Sequence, residues 1–171
     1  MKFHQTCAAA ALGMCLVIAP ANAATVFIAN LTGSQENPPN GSSATGFGTF
    51  ILNDAMTALT YSITVNGIDV TGSQTANPND NLSAAHIHAP GPVGLNAAVV
   101  FGFLGAPFND NNPNDVLLTP FASGVGGTVS GKWDSPEGNM TTLTAQLTNL
   151  LAGNAYVNFH TAQFGGGEIR G

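Results

Sequence analysis

Residues 58–65 read ALTYSITV. Leu59, Tyr61, Ile63 and Val65 fall on one side of an extended chain, and Thr60, Ser62 and Thr64 fall on the other. A strict period of two marks a strand with one buried and one wetted face. Just upstream, TGFGTFILND (45–54) has strand composition, and Asn53-Asp54-Ala55-Met56 has hairpin chemistry. Outward from this pair, further strands are expected in ATVFIANLTG (24–33), AAHIHA (84–89), AAVVFGFL (97–104), GTVSGKW (127–133) and AYVNFHT (155–161). Short strands broken by Gly, Pro and Asn predict an all-β, antiparallel, Greek-key-like β-sandwich or flattened barrel.

One short helix is expected near residues 142–152. Leu143, Leu147, Leu150 and Leu151 follow the i, i+4, i+7, i+8 spacing of an amphipathic stripe, and Gly153 is placed to end it. Two Asn/Asp/Pro-rich stretches, 75–81 and 105–115, are expected as solvated loops. They carry Asp80, Asp110 and Asp115, but not the ordered spacing of a calcium loop.

The chain has 171 residues, enough for one domain with a real core. The first 23 residues have the plan of a signal peptide: Lys2, an apolar run, and Ala21-Asn22-Ala23 as a small-residue cleavage site. Cleavage there leaves residues 24–171 as the exported domain, periplasmic or extracellular, with no membrane span in the mature chain. Cys7 and Cys15 are lost with the leader, so disulfides and thiolate chemistry are excluded. Lys132 and Arg170 then face nine acidic residues, a net charge of 2 − 9 = −7. Such a surface repels phosphate backbones, which excludes nucleic acid as a partner. No other partner is named by the sequence, and a monomer or weak homo-oligomer is expected. No Gly-x-Ser-x-Gly elbow occurs, and the glycines of FGGGEIRG (164–171) do not open a helix, so neither a marked serine hydrolase nor a phosphate cradle is expected.

Histidine is the informative residue. Outside the leader the chain has three, at His86, His88 and His160. Residues i and i+2 of a strand share a face. His86 and His88 therefore project together, opposite Ala85, Ile87 and Ala89, whose apolar side belongs in the core. On the later strand Val157 and Phe159 form the core side, and Tyr156, Asn158 and His160 project away from it. If the two strands are neighbours, three imidazoles meet on the outer face of the sandwich. Three imidazoles without thiolate suit copper, with zinc the alternative. Glu168 and Tyr156 are candidates to complete or flank the set, and Asn158 lies beside it. Arg170 is expected in a structural ion pair with Glu36 or Glu168, because a half-buried guanidinium needs a carboxylate.

The blocks LTGSQENPP, ATGFGTFILN, LTYSITVNGI, AAHIHAPGPVG, LLAGNAYVNFHT and GGEIRG, in this order, resemble the CHRD family, the domain named from chordin. The resemblance runs from about Thr25 to Gly171. It implies a secreted or surface-exposed, mainly antiparallel β domain, of a kind that bacteria export as single domains. The family's paired histidines fall on His86 and His88, its Asn-x-His-Thr on Asn158, His160 and Thr161, and its terminal block on Gly167 to Gly171. More loosely, a His-x-His strand on the outside of a Greek-key sandwich is similar to the copper side of copper/zinc superoxide dismutase. With three histidines and no mature cysteine, only a mononuclear copper site carries over. The sequence reading is thus an exported CHRD domain protein binding one transition metal, copper first, through His86, His88 and His160. A metal-free extracellular interaction or matrix module and a mononuclear copper oxidoreductase are the alternatives, and the sequence does not decide whether the protein is an enzyme.

Overall fold

The computed structural model describes residues 24–171, and the expected leader lies outside the described residues. The chain forms β1 (Thr25–Thr32), β2 (Thr45–Leu52), β3 (Ala58–Asn66), β4 (Leu82–His88), β5 (Val99–Leu104), β6 (Leu117–Pro120), β7 (Gly126–Asp134), α1 (Leu143–Leu151), β8 (Tyr156–Thr161) and β9 (Ile169–Arg170). All nine strands join one antiparallel sheet in the order β5-β4-β8-β9-β1-β2-β3-β7-β6. The sheet curls on itself. Tyr61 on β3 reaches Phe103 on β5 at 4.9 Å between ring centroids, and Phe101 on β5 stacks on Trp133 of β7 at the same separation. Strands far apart in the sheet order therefore face each other across one core, as a flattened half-barrel.

The ALTYSITV alternation explains this core. Leu59, Tyr61, Ile63 and Val65 are all buried at its centre, while Thr60 and Ser62 are exposed. The preceding hairpin closes through Asn53, whose Oδ1 accepts the Thr57 and Ala58 N–H groups and whose own N–H donates to Ala58 O. Burying the rings of Trp133, Tyr61, Phe101, Phe103 and Phe159 contributes about 2–3 kcal/mol each before ordering costs.

Three expectations change. The segment Leu117–Pro120 is a strand, β6, at the sheet edge against β7. Its four residues show no sustained alternation and end in proline, which an edge tolerates because one side of the strand donates to nothing. The helix is present and Thr142 Oγ1 caps it by accepting the Ala145 N–H, but its stripe is narrower than the leucine spacing implies. Leu143 and Leu150 are buried and Leu147 packs on the core, whereas Leu151 is 49% exposed. Finally, the 105–115 segment is not simply solvated. Asp110 is fully buried, accepting from the Tyr61 hydroxyl at 3.4 Å and from the Asp115 N–H. Glu137 accepts the Asn111 and Asn112 N–H groups, and Asp115 pairs with Lys132 at 3.2 Å. In the 75–81 loop, Asp80 accepts from Thr75 Oγ1. These acids hold their own loops in place.

Candidate metal centre

Strands β4 and β8 are hydrogen-bonded neighbours, and their register decides the site. His88 lies opposite Tyr156, His86 opposite Asn158 and Ala84 opposite His160. On the next strand, Arg170 of β9 lies opposite Asn158. Directly opposed residues project to the same face. His86, Asn158 and Arg170 thus form one row, with His88 and Tyr156 in the adjacent row and His160 beyond. Behind them Ala85, Ile87, Val157 and Phe159 enter the core.

The face carrying the histidines is not open to solvent as a plain outer face would be. His86, His88 and His160 are 5%, 7% and 9% exposed. Loops roof the face, and each loop offers one backbone carbonyl to one ring. His86 Nε2 meets Ala106 O at 3.1 Å, His88 Nδ1 meets Ala97 O at 2.9 Å, and His160 Nδ1 meets Gly165 O at 3.1 Å. A carbonyl only accepts, so each of these ring nitrogens carries its hydrogen. In the neutral ring the other nitrogen is then a bare lone pair. Those three lone pairs, on His86 Nδ1, His88 Nε2 and His160 Nε2, converge.

The three residues each offer a nitrogen within 4.8 Å of the others. His86 Nδ1 and His160 Nε2 stand 3.3 Å apart. With both outer nitrogens protonated, this contact is two acceptors facing each other, not a hydrogen bond. The spacing is the roughly 3.3 Å that two ligands subtend at a tetrahedral ion with bonds of about 2 Å. His88 Nε2 is buried with no hydrogen-bond partner.

A proton does not fill the gap. Burial pushes the His86 pKa from 6.5 down to about 4, and His160 and His88 beside it push the same way. Burial also lowers His88 and His160. Neutral imidazole, the ligand form, is the resting state at neutral pH.

The flanking residues hold this arrangement. Tyr156 stacks on His88 with ring centroids 4.8 Å apart and planes within 3°. Its hydroxyl accepts the Ala97 N–H, so Tyr156 and His88 grip the same roof residue. The Arg170 guanidinium lies 4.8 Å from the Tyr156 ring centre, a cation–π contact. Arg170 pins the roof loop that carries Ala97, donating to Leu95 O and Asn96 Oδ1, and ties it to Gln35 O after β1.

Of the two expected ion-pair partners, Arg170 meets Glu36, at 3.7 Å. Glu168 turns elsewhere, accepting from Ser42 and Thr161 hydroxyls at 2.6 Å each, and is not in the convergent group. Sequence reasoning missed Ala97, Ala106 and Gly165. They act through backbone carbonyls, which carry no residue-type signal.

Among the described residues no helix is long and apolar enough to cross a membrane. Comparison with curated proteins and with solved structures finds no match. The family model of the CHRD domain matches residues 27–171, so the whole described unit but its first three residues is covered, and the chain belongs to the CHRD domain family.

Proposed function

We propose that this CHRD domain is exported and binds one transition metal ion, copper first and zinc as the alternative, through His86 Nδ1, His88 Nε2 and His160 Nε2. The observation that carries the reading is the tautomer set. Each outer nitrogen donates to a backbone carbonyl, leaving one lone pair on each of three buried rings that offer nitrogens within 4.8 Å of one another, with His88 Nε2 unpartnered. Carbonyl-oriented imidazoles are the usual way a protein fixes metal-binding histidines. Export is supported by the leader-like composition of residues 1–23. The test is to add copper(II) to the purified 24–171 domain and record stoichiometry and the EPR spectrum. One equivalent with nitrogen hyperfine structure, lost in His88→Ala and in His160→Ala, supports the site. Binding no tighter than to an unrelated protein defeats it.

A second reading, a metal-free interaction module, is favoured by one observation. Val26 and Ile28 on β1 and Phe47 and Ile51 on β2 are exposed together on the outer sheet face, Val26 directly opposite Ile51. Sedimentation of the domain with and without a Val26→Ser, Phe47→Ser double substitution tests self-association through that strip. An unchanged monomer in both removes self-association as its use.

A further inference from the structure

The row that holds His86 holds a second buried acceptor. Asn158 lies between His86 across β4 and Arg170 across β9, two residues from His160 on the same face, and is 2% exposed. Its Oδ1 has no hydrogen-bond partner. Among the described residues, five buried side-chain atoms lack one. Three of them, His88 Nε2, Asn158 Oδ1 and Arg170 Nη2, are on this one face, and a fourth, Glu36 Oε1, belongs to the acid that meets Arg170 there. The fifth, Asp134 Oδ2, is 3.0 Å from Lys132 Nζ. Buried polar atoms are nearly always paired, so such a concentration marks an unfilled function.

The carboxamide is also oriented. A Cβ on Gly167 would lie 2.5 Å from Asn158 Nδ2, 2.8 Å from its Oδ1 and 2.7 Å from Glu36 Oε1, so the amide and the carboxylate are packed together over bare backbone. Gly167 sits at φ +130°, a conformation glycine adopts without strain. The amide and the Glu36 carboxylate thus lie together, and of the two ends of the amide only the NH₂ can donate to the acid. The oxygen end is the one without a partner, on the residue directly opposite His86. Hydrogen bonding of the amide N–H₂ to a carboxylate makes the amide oxygen a better donor of its lone pairs.

We propose that Asn158 Oδ1 is the fourth ligand of the ion held by His86, His88 and His160, and that Glu36 is the positioning residue that turns it there. The proposal rests on the three-histidine reading above. It makes the site a closed one of three nitrogens and one oxygen, with no position left for substrate. Closed sites hold metal, whereas catalytic sites keep a place open. The oxygen ligand also favours a divalent ion over soft copper(I). The chain is thereby a holder of a divalent ion and not an oxidoreductase.

The experiment compares the domain with its Asn158→Leu, Asn158→Asp and Glu36→Gln variants, each loaded separately with copper(II) and zinc. Stoichiometry reads the three-histidine site, and affinity with the cupric EPR spectrum reads the fourth ligand. Asn158→Leu is expected to keep one equivalent, bind it roughly 10–100-fold more weakly and shift the EPR parameters. Asn158→Asp is expected to bind more tightly, and Glu36→Gln to weaken binding less than Asn158→Leu does. If Asn158→Leu does not fold, the unsubstituted domain decides. Its Asn158 side-chain amide resonances should move on zinc addition and saturate at one equivalent. Wild-type affinity and spectrum in a folded Asn158→Leu, or amide resonances unmoved at saturating zinc, overturns the proposal while the three-histidine site stands. No metal binding by the unsubstituted domain overturns both.

Discussion

Glu36 sits in this face as a buried acid whose cost exceeds its reward. Burial raises its pKa from 4.5 to about 7, against the opposing pull of Arg170 and of the Asn158 and Asn37 donors. The unfolded chain releases this proton near pH 4.5 and the folded chain near pH 7. Between the two the folded state holds more protons, so stability falls as pH rises through that window, and the full loss is present above pH 7. At about 1.4 kcal/mol per tenfold change, the loss is about 3 kcal/mol. Glutamine at this position cannot ionise. Arg170 would keep its bonds to Gln35, Leu95 and Asn96 without the carboxylate. Glu36→Gln is therefore expected to stabilise the metal-free domain by about 3 kcal/mol at pH 8 and by less than about 1 kcal/mol at pH 5. Urea unfolding of chelator-treated protein at pH 5, 6, 7 and 8 measures this as a midpoint shift at constant slope. A Glu36→Gln domain less stable than wild type by more than about 1 kcal/mol at pH 8 would refute the reasoning. It would show that the 3.7 Å pairing with Arg170 outweighs the desolvation of the carboxylate.

Other outcomes follow from the same geometry. His86 has the opposite sign: its pKa falls from 6.5 to about 4 on folding, so it costs stability as pH drops through that window, by up to about 3 kcal/mol. In the Glu36→Gln background, where one opposing acid is gone and the raised pKa of buried Asp110 is left, metal-free unfolding should show this, with His88 and His160 shifted the same way, as a midpoint that declines as pH falls below 7. A flat profile there would contradict the burial of His86. Gly167→Ala places a methyl within 2.8 Å of Asn158 and Glu36 at a φ that strains alanine, and should cost at least about 2 kcal/mol in thermal unfolding. Phe101→Ala removes a fully buried ring stacked on Trp133 and should cost about 3–5 kcal/mol. Because the chain has one tryptophan, the red shift of its emission in that variant reports the opened contact directly.

The alternation of ALTYSITV and of the His-x-His strand was enough to place each side chain on its face. Ala85, Ile87, Val157 and Phe159 do enter the core, and the histidines do project away from it. Three things had no pattern to read. The adjacency of β4 and β8 is a pairing between segments about 70 residues apart, and side-chain periodicity is silent on which strands pair. The curl depends on β9, two residues long, which joins β8 to β1 with one residue pair to the latter. The roof over the histidines is built by carbonyls of Ala97, Ala106 and Gly165, so a face expected at the surface is buried by groups every residue possesses. Leu151 shows the converse error. It has the spacing of a core residue, but only the side of α1 that carries Leu143, Leu147 and Leu150 meets the core.

The central claim is that three imidazoles converge on one ion, and X-ray absorption of the zinc- or copper-loaded domain tests it most directly. The account predicts three imidazole nitrogens at about 2.0–2.1 Å, with outer-shell ring scattering for all three. A first shell of water or carboxylate oxygens with one imidazole or none would contradict it.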